Sequence, residues 1–389
     1  MPRDDKALSL AAERCPGTAA RLPRTCLLIG QLGVGGTEKQ LTLLALGLRA
    51  RAVDTSVLVM FEGGPREEVL RAAGIPVVHL GFRRRSAGWR MVPGNAAAFL
   101  RLVAWLRTRR PEVLHAFLFY SYVVAAPAAR LAGVPVVVAG RRGLADGKLG
   151  RRLLLAVERW ATRMTDLLIA NAHAVAENAR TTERLPTGKV VVVHNGLPES
   201  AFAPAPPARL ETELPVVLCV ANLKPYKGHA HLFEAVARLA GRGLPCTLAL
   251  AGEGSARAAL QALAVRLAID VRFLGIRTDV DQLLARADVV VLPSLEEGMS
   301  NAVMEAMAAA LPIVATDVGG TGELLRGRGL LVRPAEPEAL AEGIERLLTD
   351  PALARGLGRR ARAWSREHLL ADAMVDRHLR IYRELLDGA

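Results

Sequence analysis

The chain has 389 residues, 51% hydrophobic and 23% charged, which is enough for two domains with separate cores and too apolar for a disordered chain. Its net charge of +13 is uneven: residues 1–200 hold 29 Lys plus Arg against 15 Asp plus Glu, net +14, and residues 201–389 hold 22 against 23, net −1. Cys15, Cys26, Cys219 and Cys246 lack C-x-x-C spacing, which excludes a zinc ribbon or disulfide framework, and no apolar run reaches the ~20 residues of a membrane span.

Residues 1–22 lack the apolar centre of a signal peptide and read as a disordered N-terminal extension. From residue 25 short β-rich runs alternate with amphipathic ones, the pattern of parallel strands joined by crossover helices. The first strand, TCLLI, leads into QLGVGGTEKQL (31–41). Counting from Gly33, Glu38 stands where a dinucleotide-binding fingerprint needs its third glycine, and no window provides a P-loop. What remains is a turn in which Gly33, Gly35 and Gly36 can expose backbone N–H groups at a helix start, a place for an anion or simply a tight connection.

Further strands are expected at TSVLVM, PVVHL, EVLHA, PVVVA, DLLIA and KVVVV. Between them lie the basic clusters RRRSAGWR (83–90), RTRR (107–110) and GRR (140–142). A basic half of this kind faces an anionic partner, either a phosphorylated substrate or a membrane surface. A nucleic-acid partner is not expected, because no helix-turn-helix, zinc or aromatic-basic pattern is present.

The Pro-rich stretch 204–214 reads as a linker between a first domain over 23–203 and a second over 215–365. The second repeats the pattern with VVLCVA, CTLALA, VRFLG, DVVVLP, PIVAT and GLLV, so the fold class is α/β with two doubly wound sheets, ligands lying outside the carboxyl ends of the strands. Helical patterns fill Ala335 to Leu386, one starting at Pro351, and residues 366–389 form a terminal helix able to pack back on the first domain.

After DVVVLP comes SLEEGMSNAVMEAMAAA, where Ser300 or Asn301 can cap a helix from about Ala302 to Ala310. Glu297 precedes that helix and Glu305 lies one turn inside it. If all helical, their separation is about 12 Å, too long for the paired carboxylates of a retaining glycosidase, which stand about 5 Å apart. It suits two hydroxyl-rich groups on either side of a diphosphate, a sugar at Glu297 and a ribose at Glu305. Taken singly, each Glu is equally a partner for the helix dipole.

EEGMSNAVMEAMA resembles the E-x7-E signature of family-4 retaining glycosyltransferases, the glycosyl transferases group 1. GVGGTEKQL, LIANAHAV, VVVHNGL, ANLKPYKG and FLGIRTDV with LLARADVVVLPS are similar to that family's segments in the same order, over nearly the whole chain from residue 25. The resemblance implies the GT-B fold, two Rossmann-like domains with the donor held mainly by the second and the acceptor by the first. It implies that Gly35 and Gly36 abut the diphosphate-sugar and that Lys227 neutralises the diphosphate. Backbone groups at Ile276 and Arg277 then border the base, and those of Gly298, Met299, Ser300 and Asn301 meet sugar or phosphate. The sequence departs from the family twice. Asn222 stands where a second cation is common, with Lys224 as its substitute, and His115 is followed by Phe117 instead of a second histidine. His115 is a candidate for reaching the donor sugar, or a structural residue.

The expectation is a cytoplasmic glycosyltransferase, stationed at the inner face of the membrane if its acceptor is lipid-linked. It needs no cofactor or metal and moves a sugar from a UDP-type donor to a glycan or lipid-linked acceptor, with Glu297, Lys227 and His115 as catalytic candidates. A sugar-nucleotide epimerase, a glycan phosphorylase and a non-catalytic binding protein remain as alternatives.

Overall fold

The computed structural model describes residues 22–83, 91–144 and 152–388. The N-terminal extension, Cys15 and most of the cluster at 83–90 lie outside the described residues.

The first lobe is a sheet of seven parallel strands: β1 (Thr25–Ile29), β2 (Thr55–Val59), β3 (Val77–His79), β4 (Val113–Phe117), β5 (Val136–Arg141), β6 (Leu167–Ala170) and β7 (Val190–Val192), ordered β3-β2-β1-β4-β5-β6-β7. The helices α1 (Gly36–Ala50), α2 (Pro65–Ala72), α3 (Met91–Arg109), α4 (Phe119–Ala132), α5 (Arg152–Arg163) and α6 (His173–Glu183) connect them. β1 and β4 are buried along their whole length, because helices cover both faces of a parallel sheet, and this is why these strands read as continuous apolar runs.

The second lobe has six parallel strands: β8 (Val216–Val220), β9 (Thr247–Ala251), β10 (Val271–Gly275), β11 (Val289–Leu292), β12 (Ile313–Thr316) and β13 (Leu330–Val332), ordered β10-β9-β8-β11-β12-β13. Its helices are α7 (His229–Gly241), α8 (Arg257–Leu267), α9 (Val280–Arg286), α10 (Asn301–Ala308), α11 (Thr321–Leu325), α12 (Pro337–Thr349) and α13 (Pro351–His368). Pro351 occupies the first helical position, where its missing N–H costs nothing, and the Asp350 carboxylate caps the helix at Leu353 N–H, 2.9 Å away.

The chain passes between the lobes twice. The first passage, the Pro-rich stretch, has neither helix nor strand, yet it is seated: Ala208 is buried and its N–H donates to Gln282 O at 2.8 Å. At the second passage Leu197 N–H donates to Leu369 O at 2.7 Å and Ala371 N–H to Leu197 O at 2.8 Å. From there α14 (Ala371–Asp387) lies along α1 of the first lobe. A Cβ on Gly47 of α1 would stand 2.4 Å from Val375, so the two helices touch where α1 has no side chain. Arg51 holds the contact at its rim through Asp376 at 2.6 Å and Asp372 at 3.1 Å.

Candidate active site

Both sheets point their carboxyl ends at one another, and the loops leaving β1, β5, β7, β8 and β11 meet between them. On the second lobe the loop after β11 carries Glu297, Gly298 and Met299 to the start of α10. Ser300 is the N-cap, its hydroxyl accepting from Val303 N–H at 3.4 Å, and α10 starts at Asn301 with its free N–H groups facing the cleft. The loop rests on the turn after β12. Gly320 N–H donates to Gly298 O at 2.7 Å, and a Cβ on Gly319, at φ +54°, would stand 1.8 Å from Glu297 O.

Lys227 closes a short 3-10 turn after β8, and Gly228 follows at φ +67° with its Cβ position 2.0 Å from Pro293 O. Only glycine fits there, and the fit lays the lysine against the loop after β11. Its Nζ donates to Glu297 Oε2 at 2.5 Å, and Ser294 Oγ donates to the same oxygen at 3.2 Å. Side-chain exposures of 14% and 12% make this a largely desolvated pair, unlike an ordinary surface bridge. Asn222 and Lys224 are exposed on the same loop. At the end of β10, Arg277 is turned onto Asp279 by bonds of 2.7 and 2.5 Å, which raise its pKa, and Ile276 stands exposed beside it.

The first lobe meets these residues directly. Asn301 Nδ2 donates to Gly36 O at 2.9 Å, and a Cβ on Gly36 would sit 2.9 Å from that nitrogen, so the glycine admits the opposite lobe. Asn301 Oδ1 accepts from Asn195 Nδ2 at 2.9 Å and from Gln40 Nε2 at 3.2 Å. Asn195 Oδ1 in turn accepts from Arg142 at 2.6 Å. Loss of water around the Arg142 guanidinium pushes its pKa down to about 10. A Cβ on Gly298 would stand 2.3 Å from Arg142 O. Lys39 of α1 pairs with Glu305 of α10, and at the Gly35 turn the carboxylate of Glu38 lies over the N-cap. Arg66 donates to Gly33 O at 3.1 Å, close enough for Glu38 and Glu305 to oppose the pKa lowering that its burial causes.

Three expectations change. His115 is fully buried, with Nδ1 2.7 Å from Tyr382 Oη of α14 and its ring 4.1 Å from Phe117. Burial, then the neighbouring His378 and Arg142, lowers its pKa well below the ordinary value, so the imidazole is neutral. The arginines of the GRR cluster, expected to face an anionic partner, turn inward instead. Arg141 is buried between Glu158 and Glu183, and Arg142 turns inward over Phe117. The helix after the E-x7-E loop is Asn301–Ala308, with Ser300 and not Asn301 as its cap.

Lys39, Gln40, Arg66 and Asn195 are not marked by the sequence as site residues, and Arg142 is marked only as part of the GRR cluster. The segments GVGGTEKQL and VVVHNGL contain three of them, but nothing local marks which side chain reaches across a cleft. Glu297 and Glu305 are each paired with a lysine, an arrangement of alternating charge that suits polyhydroxyl and phosphate groups.

Two parallel-sheet lobes joined by two passages, with charged loops meeting at their carboxyl ends, define the GT-B fold. The chain belongs to the family of glycosyl transferases group 1 and glycosyltransferase family 4: the first model matches residues 214–350 and the second residues 34–200. It is 35% identical over 306 residues to the glycogen synthase of Mycobacterium tuberculosis, covering 73% of this chain and 71% of that protein. It is 27% identical over 359 residues to the lipopolysaccharide core biosynthesis glycosyltransferase LpsE of Rhizobium meliloti, covering 89% and 95%. Its fold superposes on HepE from Anabaena in complex with UDP-glucose with a TM-score of 0.79 at 22% identity, covering 94% of this chain and 100% of that one.

Proposed function

We propose that this glycosyltransferase moves a sugar from a UDP-linked donor to an acceptor hydroxyl with retention of configuration, in the synthesis of a cell-surface polysaccharide or glycolipid. The observation that carries this reading is the Lys227–Glu297 pair at the entrance to α10, with Glu305 one turn further in. A diphosphate between them meets the Lys227 ammonium and the N–H groups that open α10, positive charge placed where negative charge grows as the sugar departs. Glu297 then orients sugar hydroxyls and Glu305 the ribose, while exposed Ile276 offers an apolar edge for the base. Lys224 meets the phosphate charge that Asn222 cannot. The bond from the anomeric carbon to the phosphate oxygen breaks, the bond to the acceptor oxygen forms on the same face, and the acceptor proton passes to the departing phosphate. No protein nucleophile and no metal is proposed for the transfer step. UDP-glucose in the Anabaena structure and the lipopolysaccharide role in the Rhizobium protein's name agree with this choice of donor and acceptor.

The acceptor is proposed to be lipid-linked, with the first lobe docked on an anionic membrane surface. No described helix is long and apolar enough to cross a membrane. The first lobe does carry exposed apolar side chains among its arginines: Leu100 on α3, Leu118 and Tyr120 at the start of α4, and Leu153 and Trp160 on α5. Such a surface binds at the headgroup level by partial insertion and charge attraction, each nearby basic side chain contributing about 1 kcal/mol.

The test is a thermal-shift and turnover screen with UDP-, GDP- and ADP-sugars, run beside Glu305→Ala. Stabilisation by UDP-sugars alone, lost in the variant, is expected; stabilisation by none would put a non-catalytic binding protein in its place. Flotation with anionic vesicles checks the membrane contact, and lack of association at low salt would point to a soluble acceptor.

A further inference from the structure

We propose that His173, His194 and Glu323 form a binding site for one divalent transition-metal ion of the zinc type, which ties the two lobes together at the edge of the cleft. His173 opens α6 and His194 follows β7, both in the first lobe, while Glu323 lies in α11 of the second. One ligand atom from each falls within 4.8 Å of the others. His194 Nε2 is already 3.3 Å from Glu323 Oε2, and the two imidazoles stand nearly perpendicular with centroids 5.8 Å apart.

Two nitrogens and one oxygen each about 2.1 Å from an ion are about 3.4 Å from one another in tetrahedral geometry, so one pair already has nearly that spacing. Closing the others needs a rotation of His173, which is exposed and free to turn without disturbing the core. The set of two histidines and one carboxylate is that of a three-ligand zinc site with an open fourth position for water. Its oxygen ligand is held from behind, since Glu323 accepts the N–H groups of His173 and Ala174, each at 3.0 Å.

The alternative account is that Glu323 only caps α6, which has no side-chain cap of its own. That accounts for the carboxylate and not for the imidazoles. The cap uses the backbone N–H of residue 173, which any side chain would leave in place. His194 loses the proton that it shares with Glu323 when the ion takes that position, and its ring keeps a proton on Nδ1 instead. The site does not involve Lys227, Glu297 or Glu305, and its existence is independent of which donor the enzyme uses.

The experiment uses the full chain freed of metal by chelator. Co2+ is titrated by visible absorption and Zn2+ by calorimetry, in the wild type, His173→Gln and His194→Gln. One ion per chain, a Co2+ spectrum of low coordination number and a rise in Tm with Zn2+ are expected. Affinity should fall at least about tenfold in either variant. His173→Gln keeps the backbone cap, so its Tm without metal should match the wild type. No stoichiometric uptake by the wild type overturns the site, and so does uptake by both variants with the wild-type affinity, which would assign the ion to surface groups such as His79 and Glu67.

Discussion

Lys227 and Glu297 lie 70 residues apart and form a 2.5 Å ion pair between the turn after β8 and the loop before α10. Their partial burial means that neither charge is at ease without the other or a ligand in its place. Lys227→Ala is expected to lower kcat by at least about 10²-fold, the scale of losing one preorganised charge at a developing anion. Circular dichroism should show the fold intact. Activity near the wild-type level in a folded variant would remove Lys227 from leaving-group stabilisation.

Lys39 and Glu305 make a second ion pair, this one across the cleft, in which the lysine occupies the carboxylate proposed for the ribose. Lys39 then competes with the donor. Lys39→Ala is expected to tighten UDP-sugar binding about fivefold, the worth of a part-exposed pair near 1 kcal/mol, while Glu305→Ala weakens it about tenfold. A weaker donor Kd in Lys39→Ala would show that the lysine contacts the donor itself.

His115 and Tyr382 pair inside the first lobe at 2.7 Å, one from β4 and one from α14. Tyr382→Phe leaves a buried imidazole nitrogen without its partner and should cost about 1–3 kcal/mol in urea unfolding. The donor Kd should not change. A shift in Kd without loss of stability would restore His115 to the cleft.

His229 gives the protein an acid-sensitive term. Burial foremost, then the adjacent Lys227 charge, lowers its pKa from 6.5 to about 4. Native His229 therefore refuses a proton that the unfolded chain accepts, and its contribution to stability is complete above pH 6.5 and lost as pH falls towards 4. The loss amounts to at most ~3 kcal/mol, and His378, lowered to about 3 chiefly by burial, acts in the same direction. Tm measured at pH 7.5 and pH 5 should fall for the wild type and fall less for His229→Met. An equal drop in both would place the acid sensitivity elsewhere.

All thirteen strands among the described residues coincide with β-rich runs legible in the sequence, most within a residue or two at each end. Parallel strands covered on both faces must be apolar throughout, and helices between them repeat at a different period, so local chemistry alone separates the two. Ser300 as a cap and the Glu297–Glu305 spacing around α10 are likewise local. The contacts across the cleft are not. Lys39 and Glu305 stand 266 residues apart and Asn301 and Gly36 265, and neither pair leaves a periodic trace. His115 makes the difference plain: a histidine at a strand end is equally a ligand or a core residue until the far end of the chain is placed. Tyr382 reaches its Nδ1 only because α14 returns 267 residues later to cover the ring. The sequence by itself determined the elements and their order, which depend on neighbours along the chain; only the tertiary structure decided which charged side chains face one another, which depends on how two lobes close.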